Sequence, residues 1–320
     1  MKKLLVLALA AIALAACSPT DTNAPQGAAP APEQTPAATA SLDQPEDATP
    51  PASADDLYAT RLSEVLAGDW RPEAEKARDV YRHPAETLAF FKVRPNQTVI
   101  EITPGGGWYA AVLAPWIAGG DGQYIAAVAR DADAEGPSRG QQALEKRFAE
   151  NPQAFAVARI ETFDPKAPVF GAPESADRVL TFRNVHNWAM GGTAEAMFKG
   201  FFDVLKPGGV LGVADHRATR GESFDAVKES GYLPVEYVVD LATRAGFVLD
   251  AESEINANAK DDHHHEKGVW TLPPTLALGD QGRQKYLDIG ESDRMTLRFV
   301  KPLPDEIHST GMDDAPTSQP

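Results

Sequence analysis

The densest group of reactive side chains is Arg183-Asn184-Val185-His186-Asn187. A histidine titrates near neutral pH, so His186 is the first candidate for a group that takes up a proton. Asp215 and His216 form a second polar pair, in which Asp215 would orient an imidazole or accept the proton itself. The plainer reading of both is a buried polar network that fixes loops. A different chemistry is available at Pro104-Gly105-Gly106-Gly107. Consecutive glycines let the backbone approach a ligand closely and adopt positive φ. A helix starting just after them offers free N–H groups to an anion. Glu101, just upstream, is placed to meet a cationic group of the same ligand. The plainer reading is a turn that packs helix on strand. Gly105-x-Gly107-x-x-Ala110 also fits the dinucleotide fingerprint, so the turn alone does not choose its ligand. Tyr81-Arg82-His83 either folds over the turn as a lid or caps the domain, and Arg82 would suit a carboxylate. Asp261-Asp262-His263-His264-His265-Glu266 invites a metal. Adjacent histidines point in different directions on any regular element, so the expectation is a solvated loop and no metal. A site joining one of them to His186 or His216 stays open.

These residues need a frame. Apolar spacing predicts helices over Asp55–Leu66, Glu73–Tyr81 and Pro84–Phe91, then a β-branched strand, Thr98–Ile102. After the glycine turn, Trp108–Ile117 reads as a helix stopped by Gly119-Gly120. Strands at Gln123–Ala129, Ala156–Thr162, Arg178–Phe182 and Val210–Ala214 alternate with helices at Gln141–Glu150 and Thr193–Leu205. A helix at Val235–Ala245 and strands at Phe247–Glu252 and Met295–Val300 complete the pattern. Alternation of this kind predicts an α/β fold with a mainly parallel sheet and ligands beyond the carboxyl ends of the strands. The relevant ends lie near Glu101, Val128, Thr162 and Phe182. Trp270–Pro274 is expected to pack over that site, or to contribute Trp270 to the core.

The N-terminus speaks to location. Lys2 and Lys3 precede an apolar run of thirteen residues, Leu4 to Ala16. That is shorter than the roughly 20 residues needed to span a bilayer and fits the core of a secretory signal. Leu14-Ala15-Ala16-Cys17 resembles the lipobox of bacterial lipoproteins, which implies cleavage before Cys17 and lipidation of its thiol; ordinary cleavage after Ala15 is the alternative. Ser18 in that resemblance implies the outer membrane, facing the periplasm. Cys17 is the one cysteine of 320 residues, so no disulfide forms within a chain and no multi-cysteine zinc site is possible. Residues 17–54, rich in Ala, Pro, Thr, Asp and Gln, read as a lipidated disordered tether after a signal peptide, 1–16. Residues 303–320 read as a disordered tail. The net charge is −16, and loss of Lys2 and Lys3 makes it two units more negative. No basic patch suggests nucleic acid as a partner.

Several segments together carry a family resemblance. Glu101-Ile102-Thr103-Pro104-Gly105-Gly106-Gly107 resembles the first motif of class I S-adenosylmethionine-dependent methyltransferases. Phe202–Gly209 looks like the turn before their fifth strand, Ala245-Gly246-Phe247 like the approach to their sixth, and Leu297–Pro302 like their closing antiparallel strand. A narrower similarity is to bacterial predicted methyltransferases with a Pro-Gly-Gly-Gly-Trp-Tyr turn. It covers about residues 55–302 and includes Tyr81–Pro84, Thr181–Trp188, Asp215–Ala218 and Val269–Pro274. The resemblance implies a Rossmann-like sheet of seven strands, the last antiparallel, with helices on both faces. It implies S-adenosylmethionine as cofactor and a small-molecule acceptor. The cofactor would be held by Glu101, Gly105, Gly106, Gly107, Trp108, Asn184 and Arg82, with Asp131 at the ribose and Asp164 at the adenine. His186, Asp215 and His216 would be catalytic. Two positions depart from the pattern: Thr103 replaces the first glycine, and Val128 stands where the second strand usually ends in an acidic residue. A non-catalytic ligand- or partner-binding module of the cell envelope on the same fold is the second function class. A nicotinamide oxidoreductase fits the glycine turn but not the closing strand.

Overall fold

The computed structural model describes residues 54–130 and 136–304. The expected signal, the lipidated Cys17, nearly all of the tether and tail, and Asp131 lie outside the described residues. The domain opens with four helices, α1 (Ala54–Ala67), α2 (Glu73–Lys76), α3 (Asp79–Arg82) and α4 (Pro84–Phe90), before β1 (Thr98–Ile102). The chain then alternates through α5 (Ala110–Ile117), β2 (Gln123–Ala129), α6 (Arg139–Glu150), β3 (Ala158–Phe163) and β4 (Ala176–Phe182). It continues through α7 (Val185–Met190), α8 (Ala194–Val204), β5 (Leu205–His216), α9 (Phe224–Val227), α10 (Val235–Ala245), β6 (Val248–Ser253), α11 (Arg283–Ile289) and β7 (Arg294–Val300).

The seven strands form one sheet in the order β3-β2-β1-β4-β5-β7-β6. β1 to β5 pair in parallel, and β7 runs antiparallel to both neighbours. Side chains alternate across a strand, which divides the core in two. Ile100, Ile102, Val179, Leu211 and Leu297 pack on one face with Met197, Phe198 and Phe201 of α8 and Val238 and Leu241 of α10. Val99, Ala126, Val128 and Leu180 pack on the other, with the wholly buried α5 and with Leu62 and Val65 of α1. Gly212 in β5 permits close packing there: a Cβ would meet the Phe91 ring at 2.7 Å and Leu180 at 2.8 Å.

Three local expectations change, and one segment with no expected element gains one. The helix expected over Glu73–Tyr81 breaks in two. The third strand begins two residues late, at Ala158. The turn Lys206–Gly209 is absorbed into β5, through a register shift against β4. The polar run after β4 turns at once into α7, with Val185, His186 and Trp188 buried. Among the described residues no helix is long and apolar enough to cross a membrane.

Candidate functional site

The strand order reverses between β1 and β4, and a cleft of about 240 Å³ lies there, beyond their carboxyl ends. Thr103 leaves β1 with φ 51° while its N–H donates to the Ala127 carbonyl at 2.8 Å. A left-handed threonine is strained by roughly 1–2 kcal/mol, and its Oγ1 is buried without a hydrogen-bond partner. Gly105 (φ 59°) and Gly106 face open space, with no atom within 4 Å of a Cβ placed on either. Gly107 (φ 81°) has the packing role instead, since a Cβ there would meet Leu144 of α6 at 2.8 Å. It does not line the cleft; Gly105, Gly106, Glu101, Trp108, Asn184 and Arg82 do.

Glu101 is buried on the α5 side and accepts from the Tyr124 hydroxyl at 2.6 Å. Burial pushes its carboxyl up to about 7, against the opposing effects of Tyr124, Arg147 and Arg82. Asn184 stitches β1 to β4: its Nδ2 donates to the carbonyls of Ile102 (3.1 Å), Thr103 (3.2 Å) and Phe182 (3.2 Å). α2 and α3 form a roof. Trp108 donates Nε1–H to the Glu75 carbonyl at 3.1 Å, and Tyr109 donates its hydroxyl to the Arg82 carbonyl at 3.2 Å. Arg147 bridges both Glu75 oxygens at 2.7 Å. The Arg82 guanidinium lies 4.6 Å from the Trp108 ring centre. Of Tyr81-Arg82-His83, read as either a lid or a cap, Arg82 lines the cleft and Tyr81 and His83 do not.

At the rear of the cleft, Arg82 and Arg183 meet three residues that the sequence did not single out, Arg78, Glu291 and Arg294. Glu291, 2% exposed, is met by Arg78 Nε at 2.6 Å, Arg82 Nε at 3.0 Å, Arg183 Nη1 at 3.9 Å and Arg294. Burial would raise the Glu291 carboxyl; Arg294, Arg82, Arg78 and Arg183 outweigh it and hold it down at about 2. Conversely, burial brings the Arg82 guanidinium down to about 9 and that of Arg183 to about 10. Arg183 sits at the end of β4 with φ 62°. The one local signal for this cluster was Glu291-Ser292-Asp293-Arg294, four polar residues leading into an apolar strand.

His186, Asp215 and His216 come together but do not line this cleft. Asp215 is fully buried. Its Oδ2 accepts from the Val185 N–H at 2.6 Å and the His186 N–H at 3.4 Å, capping α7 from across the sheet. Its Oδ1 accepts from His186 Nδ1 and the His216 N–H, both at 2.8 Å. With Nδ1 so engaged, His186 keeps Nε2 free as a proton acceptor. His216 bonds Ser292 Oγ through Nδ1, and the two imidazole rings stand edge to face, 4.9 Å apart. Burial, His186 and the guanidiniums of Arg183, Arg294 and Arg82 hold His216 well below its ordinary value. These three side chains are close enough to share an ion. Asp215 already accepts two hydrogen bonds on each oxygen, and the surrounding positive field favours an anion over a cation. Trp270 does reach the group, with its ring 6.2 Å from that of His186.

Asp164 lies apart, exposed after β3, where its Oδ1 accepts from the Lys166 N–H at 2.9 Å in a tight turn. The acidic and histidine-rich segment differs from the expected solvated loop. Asp261 is buried and accepts from Tyr232 Oη (2.9 Å), Asp293 N (2.8 Å), His263 N (3.0 Å) and His265 Nε2 (2.8 Å). Asp261, Asp262 and His265 also offer grouped ligand atoms, but Asp261 already serves as a hydrogen-bonding hub.

No family model matches the chain, and no curated protein matches it. Similar solved structures include the [4+2]-cyclase SpnF, at 14% identity and TM-score 0.49, over 77% of this chain and 93% of that one. A SAM-dependent methyltransferase from Aquifex aeolicus is 14% identical, with TM-score 0.45, over 62% of this chain and 93% of that one. Phosphoethanolamine N-methyltransferase 2 of Haemonchus contortus, solved with S-adenosyl-L-methionine, is 18% identical, with TM-score 0.45, over 70% of this chain and 53% of that one. These likenesses are distant, and the strand order is the firmer criterion: five parallel strands reversing between β1 and β4, with an antiparallel β7 inserted beside β5, make this the Rossmann-like fold of class I methyltransferases.

Proposed function

We propose that the chain is an S-adenosylmethionine-dependent methyltransferase for a small-molecule acceptor, tethered at the periplasmic face of the outer membrane through Cys17. The observation that carries the catalytic half is the cleft at the strand switch point, with bare glycine backbone beside matched charges. The residues present fit the aminoacyl half of the cofactor. Arg82 suits the carboxylate, and Glu101 suits the ammonium group. Thr103 Oγ1, buried and unpartnered, would be available to bond it. Gly105 and Gly106 leave room for close approach. When bound, the cofactor supplies a methyl group on a positively charged sulfur.

The protein's own task is then to position and to move a proton. The roof of α2 and α3 covers one side of the cleft through Glu75, Arg78 and Arg82. Asp215 fixes the His186 ring, whose Nε2 would take the acceptor's proton where the acceptor reaches beyond the cleft wall to it. Lipidation rests on Leu14–Cys17 and the single cysteine; Cys17→Ala is expected to move the protein from the membrane to the soluble fraction.

The deciding experiment is a calorimetric titration of the full chain with S-adenosylmethionine. Saturable heat is expected. Its absence at millimolar ligand returns the chain to a non-catalytic binding module. If binding is present, His186→Ala should preserve it and slow turnover by about a hundredfold or more.

A further inference from the structure

The rear of the cleft carries more positive charge than its carboxylates balance. Arg78, Arg82, Arg183 and Arg294 converge on Glu291. Asp215 adds a second negative charge felt by Arg183, but its oxygens are taken by α7, His186 and His216, while Glu75 is bonded by Arg147 and Glu101 by Tyr124, so four guanidiniums face two such carboxylates. Guanidinium donors are also left over. Arg78 Nη2 and Arg294 Nε are buried with no partner. Arg183 makes no side-chain hydrogen bond among the described residues; its single ion contact is the 3.9 Å approach to Glu291, and its side chain stays 30% exposed on the cleft. Several buried cations around fewer anions are unfavourable unless a further anion completes the set. The guanidiniums arrive from three directions, α3, the end of β4 and the start of β7. That arrangement suits a tetrahedral oxyanion better than a planar one.

We infer that Arg183, with Arg78, binds a phosphate-class oxyanion carried by the methyl acceptor, beside the cofactor carboxylate at Arg82. The acceptor role rests on the methyltransferase reading above; the oxyanion site rests on the arginine cluster itself. A phosphate of this kind belongs either to a free small ester or to a lipid headgroup at the tethering membrane.

Thermal unfolding of the full chain in inorganic phosphate, against chloride at equal ionic strength, tests the site. Phosphate is expected to raise the wild-type midpoint. Arg183→Ala should weaken that effect at least tenfold in phosphate concentration, and leave the midpoint in phosphate-free buffer unchanged or higher. Arg183→Lys should fall between, because it keeps the charge and loses the fork. Equal protection by phosphate and chloride overturns the inference. So does an Arg183→Ala protein with a lowered midpoint and unaltered phosphate affinity. Glycerol 3-phosphate and vesicles with or without phosphatidate separate the sources. Protection by the former supports a free ester, and Arg183-dependent flotation with the latter alone supports a headgroup. The S-adenosylmethionine titration run alongside keeps the two claims apart. Cofactor heat without a phosphate effect removes only the oxyanion site. A phosphate effect lost in Arg183→Ala, without cofactor heat, sustains the oxyanion site and removes only the cofactor reading.

Discussion

Thr103 carries both a left-handed backbone and a buried hydroxyl with nothing to bond. Thr103→Gly removes both defects, partly offset by the greater chain entropy of glycine. The ligand-free protein should gain about 1 kcal/mol by urea unfolding, while cofactor affinity drops severalfold. A variant that loses stability would contradict this account of the residue. Glu101 gives a pH dependence with a definite sign. Burial raises its carboxyl to about 7, so the ligand-free protein holds the proton below that pH. Pairing with an ammonium group requires the carboxylate. Cofactor affinity should therefore fall tenfold per unit below pH 7 and level off above it, and Glu101→Gln should flatten the profile. The same shift disfavours the fold as pH rises from about 4.3, the ordinary value, toward 7. Glu101→Gln should accordingly stabilise the ligand-free protein at pH 8, by about 4 kcal/mol at most.

β1, β2 and α10 have the ends their sequence patterns predict, because their apolar spacing serves the core directly. α7 was hidden. Arg183 to Asn187 has no apolar period of its own, and its helix is capped from outside by Asp215, thirty residues further on. Asp215→Ala should cost about 3 kcal/mol or more by orphaning buried N–H groups, and helical signal should be lost first around α7. Stability within 0.5 kcal/mol of wild type, about the range of surface substitutions, would remove the capping role. The break between α2 and α3 also has a tertiary cause. A continuing helix would give the Glu75 carbonyl to Asp79; instead it accepts from the Arg78 N–H and from Trp108 Nε1. Trp108→Phe deletes one of these bonds, so amide exchange across 73–82 should accelerate about fivefold. The glycine turn was legible as a turn at the end of β1 because its glycines are contiguous. The arginine cluster was not, because Glu291 lies 209 residues from Arg82 and only the folded sheet brings them together.

At the scale of the described domain, the carboxylates near the start of β7 contribute to acid stability. Glu291 is held at about 2, and Asp293 is held below its ordinary value, where its bonds to His263 and Arg217 outweigh burial. Groups depressed in the folded state stabilise it above their unfolded values, about 4. That contribution should vanish as pH falls from about 4.5 through 2, with Glu291 alone accounting for about 3 kcal/mol. Urea melts at stepped pH measure this; a flat response below pH 4 would mean that the cluster is not ion-paired in solution. The domain also carries its own optical probes. Of five tryptophans, Trp108 lies close to the guanidiniums of Arg71, at 5.2 Å, and Arg82, at 4.6 Å, while Trp270 neighbours His186. Indole emission responds to nearby charge, so a ligand that draws Arg82 away should shift the colour of one fluorophore, and a proton arriving on His186 should dim the other. Replacing each indole in turn would then give separate spectral channels for occupancy of the cleft and for proton transfer.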